Sequence, residues 1–190
     1  MNLMPTSKKT AAKPPKKSAT APARAGGSAA SKSASAALEG KKAPAFELSD
    51  ADGKTVALKD LIGANNLVLY FYPKDMTPGC TVEACSFRDN IAPIKALGAK
   101  VAGISGDSID SHARFAAKHG LNFPLLADPG NKVCKLYGVY KMKSLYGREF
   151  MGIERTTFAI DKSGVVRRVF PKVKVNGHTE EVIAALKEIG

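Results

Sequence analysis

The chain has 190 residues, 44% of them apolar, and a formal net charge of +12, a length that suits one domain with a full hydrophobic core. Its longest uninterrupted apolar run, residues 67–72, has six residues against the ~20 a helix needs to span a bilayer, which excludes a transmembrane helix and leaves no membrane contact to expect. No apolar segment follows the early Lys8 and Lys9, so no secretory signal is read and the expected location is cytoplasmic; three cysteines in that reducing compartment argue for catalytic or buried thiols rather than a disulfide framework.

The charge is unevenly placed. Residues 1–38 hold Lys8, Lys9, Lys13, Lys16, Lys17, Arg24 and Lys32 and no acid, whereas residues 39–190 carry 22 bases against 17 acids. The Lys, Ala, Pro and Ser composition of residues 1–38 offers almost no bulky apolar side chain to bury, so a disordered basic tail is expected there and a folded domain over 39–190. Clustered lysines in such a tail suit weak nucleic-acid contact through phosphates. The blander reading, a solubilising extension, is favoured because the tail has no aromatic residue and no sequence-reading chemistry. An organellar transit peptide is disfavoured by the excess of Lys over Arg.

Beyond the tail, Phe46 and Leu48 alternate with polar neighbours, Asp52 and Gly53 supply a turn, and Val56 and Leu58 alternate again, which predicts an N-terminal edge hairpin. Residues 67–71 are apolar at every position and predict a central strand covered on both faces. A helix is expected from Cys80 through Phe87, broken before Pro93. Residues 101–105 read as a second buried strand, followed by a helix over 109–119 that Gly120 terminates. Leu125 and Leu126 make a short strand, and Val133, Leu136 and Tyr137 mark one helical face that Gly138 stops. Residues 156–160 and 165–170 flank a second hairpin turn, and Val182, Ile183, Leu186 and Ile189 stripe a closing helix. Alternating strands and helices followed by a hairpin and a helix predict an α/β domain of three layers. No internal repeat and no Gly-rich phosphate loop is present.

Chemistry concentrates where the central strand meets the first long helix. Cys80 falls in the first turn of that helix, where backbone N–H groups lack intrahelical partners and the helix dipole is positive, so a thiolate is stabilised there. A second thiol, Cys85, five residues on, makes the site redox-capable. The spacing of Pro73, Thr77 and Cys80 (Pro-x3-Thr-x2-Cys), the second cysteine Cys85 and the distant Arg155 at the start of a late strand resemble the peroxiredoxins, and within them the Q-type subfamily of bacterioferritin-comigratory proteins. The resemblance runs from about Lys41 to Gly190 and implies a thioredoxin-like fold with a central mixed sheet.

It also implies a thiol peroxidase acting on hydrogen peroxide and organic hydroperoxides, an antioxidant role in redox homeostasis, and no cofactor. Cys80 would attack the peroxide and become a sulfenic acid, Cys85 would condense with it as an intramolecular disulfide, and thioredoxin or a similar dithiol protein would reduce that disulfide. Hydrogen-bond donors from the helix terminus, the Thr77 hydroxyl and the Arg155 guanidinium would stabilise developing charge. Pro73 and Pro78 would fix the loop and restrict water. A monomer is expected.

Other readings are weighed at the same residues. Cys80 as a merely buried thiol would need neither the Pro-Gly turn nor a helix start. Arg155 as a solvated strand-end charge and Thr77 as a simple cap are the bland alternatives there. Glu83 lies on the same helix, where family members often carry an acid or amide, but complementarity to the helix dipole explains it equally well. Lys74, Asp75 and Met76 read as spacers. Cys134, beside Val133, reads as buried; some Q-type relatives place their second reactive cysteine on a later helix, and Cys85 is preferred over it here. No metal site is expected, because His112 and His119, seven apart, lie about two helical turns or ~10.5 Å from each other; the histidines read as surface residues. A thiol-disulfide oxidoreductase or redox sensor on the same fold would be expected to show Cys-x2-Cys, which this chain lacks. A protein acting only through its basic tail on nucleic acid is the remaining alternative.

Overall fold

Successive residues of a strand point to opposite faces, and the run at 67–72 uses this to build two cores at once. The structure, a computed structural model, describes residues 34–145 and 147–190; the expectation of disorder falls almost wholly on residues 1–33, outside the described ones. Leu67, Leu69 and Phe71 of β3 (Asn66–Phe71) enter one hydrophobic cluster, and Val68 and Tyr70, with Tyr72 just beyond, enter the other. All six residues of the strand are buried, as a strand covered on both faces requires.

β3 sits inside a seven-stranded mixed sheet whose order is β2 (Thr55–Ala57), β1 (Glu47–Asp50), β5 (Leu125–Ala127), β4 (Ala99–Ser105), β3, β8 (Thr156–Ile160) and β9 (Val166–Pro171). β3, β4 and β5 run parallel, while β8 pairs antiparallel with both β3 and β9, and the β1–β2 hairpin closes the other edge antiparallel. One face is covered by α1 (Leu58–Leu61) and α5 (Lys132–Leu136), which insert Leu58, Leu61, Val133 and Cys134. The other face carries α2 (Pro78–Asp89), α3 (Ile91–Ala96), α4 (Ile109–His119) and α6 (His178–Ile189), through Cys80, Ala84, Phe87, Ile94, Phe115, Val182 and Leu186. This is the three-layer α/β arrangement with an N-terminal edge hairpin that the pattern predicts. The helix over 109–119 also starts and stops as read: Ser108 Oγ accepts the Ser111 N–H at its start, and Gly120 ends it at φ +59°.

Several local expectations are corrected. Leu58 does not extend the hairpin strand but opens α1. The first long helix does break before Pro93, α2 ending at Asp89, but Pro93 is not what stops it: it sits in the first turn of α3, where a missing N–H costs nothing. Leu136 is 59% exposed, because α5 is too short for a full apolar face and Tyr137, just past its end, takes the inward position. A hairpin of β6 (Tyr140–Leu145) and β7 (Arg148–Ile153) forms a second, two-stranded sheet that the sequence pattern did not suggest.

The domain boundary also lies earlier than residue 39. Ala36–Leu38 forms a 3-10 turn, Ser35 is buried, and Leu38 packs on the core. The Gly40 N–H donates to the Val166 carbonyl at 2.8 Å and the Val169 N–H donates to Glu39 Oε2 at 2.9 Å. Leu38 is the first bulky apolar side chain after Met4, so the chain is bound to the domain where it first has something to bury. Gly138 makes room for this, since a Cβ there would stand 2.7 Å from the Ala34 Cβ.

Candidate active site

The crossing from β3 to α2 places a thiol at a helix start. Thr77 has extended backbone angles (φ −78°, ψ 147°) and is followed by Pro78 in the first helical position, Gly79, and then Cys80. Cys80 is 1% exposed and packs against the sheet beside Ala84 and Phe87. Arg155, immediately before β8, brings Nη2 to 3.2 Å from the Cys80 Sγ. Gly79 permits this approach: its missing Cβ would lie 3.3 Å from the same nitrogen. A guanidinium stays protonated and presents its donors in a fixed plane, so it favours the ionised sulfur.

Arg155 uses its other arm on Glu83, with Nη1 donating to Oε2. Glu83 is one turn beyond Cys80 on α2 and turns inward with it, at 1% exposure. Its Oε1 has no hydrogen-bond partner among the described residues. Burial pushes this carboxyl up to about 7, and the Arg155 charge and hydrogen bond only partly oppose the rise. The dipole-only explanation of Glu83 is therefore insufficient: its side chain is part of the site. Lys143 of β6 reaches toward the same region, donating from Nζ to the Ile153 carbonyl at 2.5 Å; burial pulls its ammonium down while Glu154 pushes it up.

Of the residues named from sequence, Cys80 and Arg155 meet directly, and Thr77 and Pro73 do not reach the sulfur. The Thr77 hydroxyl donates to the Lys74 carbonyl at 3.0 Å, bracing the loop rather than facing Cys80. Pro73 and Pro78 are both exposed, so they constrain backbone without screening the thiol from water. Cys85 lies on the same helix, half-buried, and all three cysteines are free. Cys134 belongs to the cluster on the opposite face of the sheet from Cys80, and burial together with the Asp128 carboxylate pushes its thiol up. Its reading as buried holds.

Sequence reasoning missed Asp75, His112 and His178. Asp75 is 4% exposed, and its carboxylate accepts from Tyr72 Oη at 2.8 Å, Ser111 Oγ at 2.7 Å and His112 Nδ1 at 2.8 Å. It is not a spacer. His112 and His178 are buried, not surface residues; His178 Nε2 pairs with Thr157 Oγ1 at 2.8 Å. One signal for His112 was available: it stands three residues before Phe115, on the inward face of α4. Among the described residues no group of three or more His, Cys, Asp or Glu could hold a metal ion, and no helix is long and apolar enough to cross a membrane.

The model of the AhpC/TSA family matches residues 39–169. A putative peroxiredoxin bcp of Coxiella burnetii is 50% identical over 147 residues, covering 77% of this chain and 97% of that one. Peroxiredoxin Bcp of Bacillus subtilis is 48% identical over 150 residues, covering 79% and 95%. Among solved structures, the Xanthomonas campestris bacterioferritin comigratory protein, described for its alkyl peroxide reduction activity, superposes with a TM-score of 0.71 at 43% identity over 75% of this chain and 90% of that one.

Proposed function

The chain belongs to the AhpC/TSA family and is a peroxiredoxin of the Bcp type, a thiol peroxidase; from that premise we propose that Cys80 is its peroxide-reacting thiol, Cys85 its resolving thiol, and a thioredoxin-like dithiol protein its reductant. The observation that carries the reading is Arg155 Nη2 at 3.2 Å from a cysteine sulfur in the first turn of α2. The Cys80 thiolate attacks the terminal oxygen of a hydroperoxide. A sulfur–oxygen bond forms, the oxygen–oxygen bond breaks, and the departing oxygen leaves with the electron pair and takes up a proton as water or an alcohol. Arg155 and the first-turn N–H groups are already in place for the charge that moves onto that oxygen, and such preorganised donors need no rearrangement during reaction. The alkyl peroxide activity of the X. campestris relative supports organic hydroperoxides as substrates beside hydrogen peroxide.

Cys80 is left as a sulfenic acid, which the Cys85 thiol attacks with release of water to give a disulfide. Thiol–disulfide exchange with the external dithiol returns both thiols. In an ideal helix, residues five apart have Cα atoms roughly 8.7 Å from one another, and a disulfide needs less than ~7 Å. Both cysteines lie on α2, so its first turns unwind before the disulfide closes. Residues 1–33 are read as a solubilising extension and the protein as a cytoplasmic monomer.

The test is peroxide consumption with a thioredoxin system. Cys80→Ser abolishes turnover, and peroxide-treated parent protein yields a Cys80–Cys85 linked peptide with faster hydrogen exchange over residues 80–90 than the reduced form. Turnover persisting in Cys80→Ser would sink the assignment, and a dominant Cys80–Cys134 linkage would remove Cys85 from it.

A further inference from the structure

The loop that delivers Cys80 is tied to the next crossing of the fold at one residue, through its side chain and its backbone. Across residues 73–77, Pro73, Lys74 and Met76 are exposed, Thr77 is half-buried, and only Asp75 is buried. Met76 adopts φ 60°, a left-handed conformation unfavourable for a residue with a Cβ, so the loop is held in a shape it would not choose alone. The anchor is a network that includes five hydrogen bonds. Besides accepting from Tyr72, Ser111 and His112, Asp75 donates its own N–H to Asp107 Oδ2 at 2.9 Å, and Asp107 in turn accepts from Ser105 Oγ at 2.7 Å. Ser105 ends β4, and Ser111 and His112 lie in the first turns of α4. The loop is thus fastened to the next strand-to-helix crossing in the chain.

His112 is an expensive way to fill that position. It is fully buried, its Nδ1 serves Asp75, and its Nε2 has no partner among the described residues. A buried ring nitrogen without a hydrogen bond carries its full desolvation cost, which an apolar side chain of similar size would avoid. What His112 supplies, and an apolar residue does not, is a directed donor to the loop. Burial pushes the Asp75 carboxyl up, yet the hydrogen bonds from His112 and Ser111, the His112 charge and the Tyr72 hydroxyl outweigh it and hold the carboxyl below its usual range. The anchor is therefore a satisfied carboxylate.

We propose that Asp75 and His112 are positioning residues for the peroxidase reaction: together they fix the loop 73–77 so that the start of α2 presents the Cys80 sulfur in line with Arg155. This rests on Cys80 being the reactive thiol. It assigns to α4, which contributes no group to the sulfur, control over how that sulfur meets peroxide. Small displacements of a reacting group are costly, since a shift on the order of 1 Å can slow a reaction about 10²-fold.

The experiment compares single-turnover oxidation by hydrogen peroxide in Asp75→Asn, His112→Leu and His112→Asn, with alkylation of Cys80 by iodoacetamide as the control and thermal melting to report folding. Asp75→Asn and His112→Leu are expected to lose roughly tenfold to hundredfold in peroxide rate and less in alkylation rate, which follows the ionisation that Arg155 favours but not the alignment with a peroxide. His112→Asn, which keeps an N–H donor where Nδ1 stands, recovers most of the rate. Parental peroxide rates in folded Asp75→Asn and His112→Leu would overturn the proposal, and so would equal slowing in His112→Leu and His112→Asn, which would reduce His112 to packing. If Asp75→Asn does not fold, the two His112 variants decide alone. Turnover in Cys80→Ser is a separate outcome that would overturn the underlying assignment.

Discussion

Asp75 and Glu83 lie on the two sides of Cys80 in the chain, both almost sealed from solvent, and the protein treats them in opposite ways. Every oxygen of Asp75 accepts at least one hydrogen bond, and the group sits below its usual range despite its burial. Among the described residues Glu83 has one guanidinium partner and one oxygen without any, and burial raises its carboxyl to about 7. Burial alone does not decide whether an acid stays charged; the number of donors built around it does. The acid with a full set of donors holds backbone, and the acid with half a set touches the arginine beside the Cys80 sulfur. A carboxyl at about 7 changes charge near neutrality within hydrogen-bonding reach of Arg155, and Asp75 does not.

The sharpest way to break this contrast is to remove the one donor Glu83 has. Arg155→Ala is expected to slow peroxide reduction about 10²-fold, the scale of losing one preorganised charge-stabilising donor. It also leaves an uncompensated buried charge, which costs about 3–5 kcal/mol when the charge persists. Because Glu83 takes up a proton more readily than an ordinary carboxylate, that stability loss should be smaller below pH 7 than above it. Urea denaturation at one pH on each side of 7 measures the difference. An equal loss at both would show that Glu83 is not the group answering to Arg155.

A milder change tests Glu83 itself. Its folded-state value, about 7, lies above the ordinary 4.5, so between those values the folded protein binds more protons than the unfolded chain. Stability contributed by the group is therefore greatest at the acid end of the window and falls as pH rises through it. Glu83→Gln carries no titrating group and keeps an oxygen for Arg155. Its stability should vary less between pH 4.5 and about 7, with a relative gain of ~1–3 kcal/mol over the parent on the alkaline side. A variant that follows the parent across the window would mean that Glu83 is held as firmly as Asp75, and the contrast would collapse.

The same contrast explains what could be read from the chain alone. The β3–α2 crossing, Cys80 and Arg155 were legible because each rests on local pattern: an apolar run of six residues, a Pro-Gly turn, a cysteine at a helix start, an arginine before a strand. Asp75 was not, because its partners Ser111 and His112 stand 36 and 37 residues away, and nothing local distinguishes an acid with distant donors from a solvated one. Glu83 was half legible: its position on the same helix as Cys80 is local, but its burial is a consequence of how α2 packs on the sheet. The β6–β7 hairpin escaped because Met142, Phe150 and Met151 are exposed, so its apolar residues do not mark an inward face.

The smallest expected effect concerns a third carboxylate, Asp161, which closes the turn between β8 and β9 well away from the sulfur. It accepts from Ser163 Oγ at 2.6 Å, the Val165 N–H at 2.9 Å and Arg167 Nε at 2.6 Å. Burial pushes its carboxyl up, but these donors and the Arg167 charge prevail and lower it from 3.8 to about 2. Here the folded protein releases its proton more readily than the unfolded chain, so the contribution to stability is present above 3.8 and is lost as pH falls toward 2. That is the opposite slope to Glu83, in a lower window, and one pH axis therefore separates the two. The Arg167 side chain is 54% exposed, so solvent screens its share, and Asp161→Asn is expected to cost only ~1 kcal/mol near neutrality, a melting point about 2–4 °C lower. The gap between variant and parent should close in acid, because the parent then loses what the variant never had, and peroxide turnover should be unchanged. A gap that stays constant through the acid window would mean that the turn is stabilised by its backbone geometry rather than by the charge on Asp161.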